Sequence, residues 1–183
     1  MESYLAVGAF LFTASSMLGC YVGMVSPELR EFFMEWLRRG VEPLLPRDPV
    51  SFMVYVLWSN ASKCLGAIVF GVFFGLAPAV FGAANGFVLG IVSVAVSEAK
   101  GPAFVVAALT PHGVFEVPAM LFSVAAGLRE GWALVRRLNG EDVSLREELK
   151  RGLTVYVKLV LPLLVVAAFM ESFVAPLVAA YVS

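Results

Sequence analysis

Apolar runs of about 20 residues recur from one end of the chain to the other. Each is long enough to cross the roughly 30 Å hydrocarbon core of a bilayer as a helix. In hydrocarbon no water is available to the backbone, so each run must close its N–H and C=O groups within itself. Of 183 residues, 60% are hydrophobic and 15% charged, with a mean hydropathy of +0.88. A soluble domain carries nearer a quarter charged residues. The expected fold is therefore all-α: a polytopic transmembrane bundle of about five membrane segments, one of them broken or re-entrant.

The spans fall at about 4–25, 50–76, 79–97, 102–128 and 153–174, within a single integral membrane domain over 1–183. The first run has no positively charged region before it and is too long for a signal-peptide core, so it reads as a retained span. An amphipathic helix follows at 28–46. Ser26 is a plausible N-cap and Pro27 suits the first helical position. Leu29, Phe32, Phe33, Trp36 and Leu37 recur at helical spacing with Glu31, Glu35, Arg38 and Arg39 between them, the pattern of a helix in the membrane interface or against a partner. Pro78 in "LAPAVFG" marks a hairpin between the second and third spans. A charged connector occupies 129–152.

Small residues recur every fourth position: Ser15, Gly19 and Gly23 in the first span, Gly71 and Gly75 in the second, Gly82, Gly86 and Gly90 in the third. Lipid tails are as apolar as leucine, so helices associate in membranes largely through such close backbone approach. This argues for a tight bundle or for homo-oligomer contacts. Net charge is -1, which gives no general attraction to nucleic acid. Cys20 and Cys64 lie inside apolar runs and read as packing residues. The absence of glutamine is a thermophile-type signal.

Charge sets a topological puzzle. Arg30, Arg38, Arg39 and Arg47 follow the first span, while Arg129, Arg136, Arg137, Arg146, Lys150 and Arg151 follow the fourth. The positive-inside tendency places both groups on the cytoplasmic side. Three full crossings between them would place them on opposite sides. Either 102–128 dips in and returns, or it crosses as a broken helix, which is the favoured reading; both require a shielded site.

The shielded site is expected at "TPHGVFEVPA", residues 110–119. Thr110 can cap a helix that restarts at Pro111, after a segment ending near Leu109. Free N–H groups at such a restart would favour an anion or a carboxylate. His112, the only histidine, and Glu116 are four apart and share a helix face. Gly113 leaves room for close approach, and Pro118 removes a further backbone donor. Glu171, followed by Pro176, is a second acid at membrane depth, and Asn60 and Asn85 are amides within spans. Lipid exposure of these groups is costly, so Asn85, His112, Glu116 and Glu171 are expected in one binding or structural cluster. Asn60 belongs to the same set of costly groups, although a position capping a helix near the interface suits it better.

No cofactor is expected, and any metal site would draw on His112, Glu116 and Glu171. Zinc sites need three or four protein ligands, and the H-E-x-x-H pattern is absent.

"SNASKCLGAIVFGVFFG", "AANGFVLG", "PHGVFEVPAMLFSVAAGL" and "AAFMESFVAP" resemble, in order, the signatures of the stage II sporulation protein M family. The resemblance spans roughly residues 55–178. Members often carry a second asparagine beside the one matching Asn60; here that neighbour is Ser59. The resemblance implies a multi-pass protein of the cell membrane. It also implies a scaffold for other membrane proteins rather than a hydrolase, as the namesake acts with two membrane-anchored proteins that degrade septal peptidoglycan. The expected function is thus non-enzymatic recruitment, with the lipid bilayer and other membrane proteins as partners. A small oligomeric transporter or channel using the broken helix at 110–118 is the alternative, and an intramembrane metalloenzyme stands behind both.

Overall fold

The computed structural model describes residues 1–46 and 48–182, the side chains of Val41, His112, Ala179 and Val182 excepted. Arg47 and the His112 side chain therefore lie outside the described residues. The described chain is helical throughout: α1 (Glu2–Val25), α2 (Pro27–Val41), α3 (Pro49–Val69), α4 (Leu76–Lys100), α5 (Pro102–Leu138), α6 (Leu145–Val155), α7 (Leu161–Phe169) and α8 (Ala175–Val182). Among the described residues, four helical stretches are long and apolar enough to span a membrane: Glu2–Val25, Pro49–Val72, Leu76–Lys100 and Leu145–Val178. A fifth candidate is α5, whose Pro102–Pro111 and Gly113–Leu138 parts meet at 62°.

The small-residue rows of α1 and α4 face each other. A Cβ at Gly19 would lie 2.2 Å from the carbonyl oxygen of Phe87, one at Gly86 2.2 Å from that of Phe12, and one at Gly90 2.1 Å from that of Ser16. Only glycine permits this separation. At one end of the seam Arg30 closes it. Its Nη1 donates to the Gly23 carbonyl at 2.8 Å and to Glu98 Oε1 at 2.6 Å, and Nη2 lies 2.6 Å from Glu98 Oε2. A guanidinium thus satisfies a terminal carbonyl of α1 while gripping a carboxylate of α4 in a fork.

Pro78 does not form the α3–α4 hairpin as expected; it lies buried in the first turn of α4. Phe74 (φ 55°) and Gly75 (φ 73°) make the reversal, because two residues in the left-handed region reverse the chain where a proline alone cannot. That turn is clamped on α5, where a Cβ at Gly131 would lie 2.1 Å from the Gly75 nitrogen. Asp48 caps the other end of α3, accepting from the Ser51 N–H at 2.8 Å. This backbone bond holds its carboxyl below the usual range, so the cap persists above the ordinary carboxylate pKa and is lost as pH falls through the lowered value.

The connector expected at 129–152 is mostly helix. α5 runs on to Leu138, and α6 starts at Leu145. Gly140 (φ 86°) ends α5 in a Schellman turn, with Gly140 N–H donating to Arg137 and Glu141 N–H to Arg136. Ser144 then caps α6 by accepting from Glu147 N–H. Ion pairs explain why charge does not break these helices: Arg151 and Lys150 bond Glu148 and Glu147 on the same helix. Arg129 Nε lies 2.7 Å from Glu148 Oε2, held by charge without hydrogen-bond alignment.

The start of α5 borders Ser97 and Glu98 at the end of α4, where Arg30 of α2 holds Glu98, and its later part meets the α3–α4 turn. α5 thus reaches from the end of the bundle beside Arg30 to the end beside the α3–α4 turn. The last span is one rod with two widened turns, Tyr156–Val160 and Met170–Val174, each two residues before a proline. In these the Leu161 N–H reaches the Tyr156 carbonyl and the Ala175 N–H the Met170 carbonyl.

Candidate functional site

The expected helix restart at Thr110 and Pro111 is a bend instead. α5 stays helical through both prolines, and Thr110 caps nothing. Ending a helix within hydrocarbon strands four carbonyls and four N–H groups, whereas one internal proline frees a single carbonyl; bending leaves fewer groups unpaired. Gly113, one residue past the bend, has open space where a Cβ would stand.

The bend swings the first part of α5 and leaves a wedge-shaped cavity of about 380 Å³. Its walls come from Phe12 and Ser16 of α1, Asn85, Val88, Leu89 and Ser93 of α4, and Gly113, Glu116, Val117 and Met120 of α5. Behind Glu116 a space of about 10 Å³ is bounded by Asn60, Lys63, Cys64 and Asn85. Asn60 lies in mid-α3, not at an interface, and its Nδ2 donates to Glu116 Oε1 at 3.0 Å. The reading of Asn60 as an interface cap is therefore corrected: α3 runs a further nine residues, to Val69, before it ends.

Asn85 borders both spaces, yet its Nδ2 donates to the Phe81 carbonyl of its own helix at 2.8 Å. Glu171 stands within electrostatic range of Glu116 without touching it. Lys63, a cation at depth in α3, is within the same range of Glu116. Its depth in the span was the available signal. Thus Asn60 and Glu116 are joined directly, Asn85 faces them across a gap, and Glu171 is a neighbour in charge only. The His112 side chain lies outside the described set. Among the described residues no three His, Cys, Asp or Glu side chains group so as to hold an ion.

A second polar group missed from sequence lies at the other end, where Glu130 is buried at 4% exposure beside Arg129 and Glu148. Gly152 packs beside it, where a Cβ would stand 2.9 Å from Ile68 Cγ2 and in ordinary contact with Glu130 Oε1.

Comparison with known proteins agrees with this architecture. The profile of the family described as "Stage II sporulation protein M" matches residues 8–176. An uncharacterized protein of Methanocaldococcus jannaschii is 29% identical over 128 residues, covering 69% of this chain and 72% of that protein. No solved structure matches. The apolar helices and the near full-length match together make this chain a membrane protein of the stage II sporulation protein M family.

Proposed function

We propose that this protein is a non-enzymatic scaffold of the cell membrane that recruits other membrane proteins, and that the pocket around Glu116 is where a partner group is received. The observation that carries the reading is the contrast in polarity within one cavity. A carboxylate steadied by Asn60 lines an otherwise largely apolar wedge, and a group of that cost at membrane depth is kept for a purpose. Asn60, Asn85, Glu116 and Glu171, with His112, form the polar cluster of this proposal. Family membership supports a membrane protein of this kind, and α2 offers a second surface for partners in the interface.

The test is affinity purification from native membranes of the wild type beside Glu116→Gln and His112→Ala, followed by mass spectrometry. The expected result is a reproducible membrane-protein partner that is lost from folded variants. Equal recovery of partners by folded variants would count against the reading. A second reading, transport by an oligomer, is favoured by one observation: cavities of about 380 and 500 Å³ share Ser93 and lead from the α2 end to Glu116. Solute flux in proteoliposomes that disappears in Glu116→Gln would select it.

A further inference from the structure

We infer that the wedge between α1, α4 and the first part of α5 receives an ammonium group carried on an apolar stem, entering from the α2 end. The inference rests on the recruitment proposal only in taking the same pocket as a receptor; it names the chemistry received.

Two features define the guest. Among the described lining residues of the wedge, Glu116 is the one charged side chain, and the other polar ones are Ser16, Asn85 and Ser93. Phe12, Val88, Leu89, Val92, Val117 and Met120 supply the apolar remainder. An anionic guest would meet Glu116 with no cation among the described lining residues; behind it Lys63 and Glu171 carry opposite formal charges, so the three groups net one negative charge. A neutral guest would leave the net negative charge of that group unbalanced in a buried site. An ammonium on an apolar stem satisfies both surfaces. Being compact, it suits a single carboxylate, whereas a planar guanidinium is matched by a fork of two acceptors facing it.

The entry follows from the second cavity. It lies against Met24, Ser97, Glu98, Pro102 and Val105 at the α2 end and meets the wedge at Ser93. Its one lining charge is again an acid, Glu98, which Arg30 holds at the rim. Because Glu98 is neutralised by Arg30, the mouth is close to neutral and the preference for a cation falls to Glu116 at the floor.

Gly113 provides the probe, since a Cβ there meets nothing within 4 Å. With Cys20→Ala and Cys64→Ala in the background, Gly113→Cys is labelled in purified, folded protein. The thiol reagents are a quaternary-ammonium and a sulfonate methanethiosulfonate. The expected cationic rate exceeds the anionic rate by at least about tenfold beyond the ratio for a free thiol, as a nearby unit charge in a shielded site implies. Glu116→Gln removes that excess. Hexylammonium slows labelling at Gly113→Cys, while hexanol and hexanoate do not. Ser93→Cys, on α4, repeats the measurement should Gly113→Cys not fold.

A free-thiol rate ratio, or equal protection by the three hexyl compounds, overturns the inference. In sealed vesicles of known orientation, reagent on the α2 side should label and reagent on the other side should not; the reverse overturns the route. The arms separate the two proposals. Protection by hexylammonium with no partner lost in Glu116→Gln keeps the ammonium site and removes recruitment. Partner loss without any charge preference does the opposite.

Discussion

α4 treats its two flanks in opposite ways. Toward α1 it is closed so tightly that a single methyl at Gly86 or Gly90 would overlap backbone oxygen. Toward the bent part of α5 it stands away, leaving a cavity beside Asn85 and Ser93. Glycine occurs on both sides and does different things. In the seam it lets two backbones touch, with dispersion between main-chain atoms holding helices that lipid gives no reason to associate. At Gly113 it fills nothing and constrains little. The difference teaches that one flank of α4 is built for adhesion and the other for vacancy, and that the vacancy is maintained by the bend in α5.

The largest effect should come from the closed flank. Gly90→Leu would drive a side chain into Ser16 and Cys20 backbone and should cost more than about 3 kcal/mol, beyond the usual overpacking penalty. Thermal unfolding in detergent would read it, and a wild-type midpoint would break the comparison. Next comes the floor of the open flank. Glu116→Ala leaves the Asn60 amide without its acceptor and should cost about 1–3 kcal/mol, with Glu116→Gln costing less because it keeps an acceptor. If both variants cost the same, the hydrogen bond seen here is not what steadies the pair.

Arg30→Ala removes the fork to Glu98 and the bond to the Gly23 carbonyl. A loss of about 1 kcal/mol is expected, and high salt should shrink the difference from wild type. The smallest effect belongs to Gly113→Ala. Alanine favours the helix by up to about 1 kcal/mol over glycine, and with no neighbour to meet the variant should be unchanged or slightly more stable. Clear destabilisation there would mean that the wedge is a closed contact and the two flanks are alike.

Much of the architecture was legible in the chain. Span-length apolar runs announce themselves because bilayer thickness imposes a length. The four-residue rhythm of Gly82, Gly86 and Gly90 announces a seam because it places small residues along one stripe of a helix. Pro27 opens α2 as expected and Ser26 stands at its N-cap position, although the Ser26 side chain makes no capping bond. What stayed hidden was chiefly non-local or cooperative. Asn60 and Glu116 are 56 residues apart, and no local pattern records their meeting. The prolines at 111 and 118 read as breakers because propensity is a water-based habit, whereas hydrocarbon makes an ended helix worse than a bent one. The helical run through Arg129 and Glu130 read as connector because charge marks exit from the apolar layer, not the end of a helix. The expected meeting of His112 and Glu116 concerns a side chain outside the described residues.

The widened turns of the last span have a consequence in angular phase. Gly152, Tyr156, Val160, Leu164, Ala168 and Ser172 follow one another every fourth residue; all are buried except Tyr156, whose hydroxyl bonds the Ala61 carbonyl of α3 at 3.0 Å. A strict four-residue stripe on a helix of 3.6 residues per turn drifts by about 40° per step, or about 200° over these five steps. Such a stripe would wind halfway around the rod and lose its neighbours. One extra residue absorbs about 100°, so two widened turns cancel about the whole drift. The rod keeps a single straight edge toward α3 and α5, and a one-residue deletion within either turn would rotate everything after it, Glu171 and Ser172 included, relative to that edge.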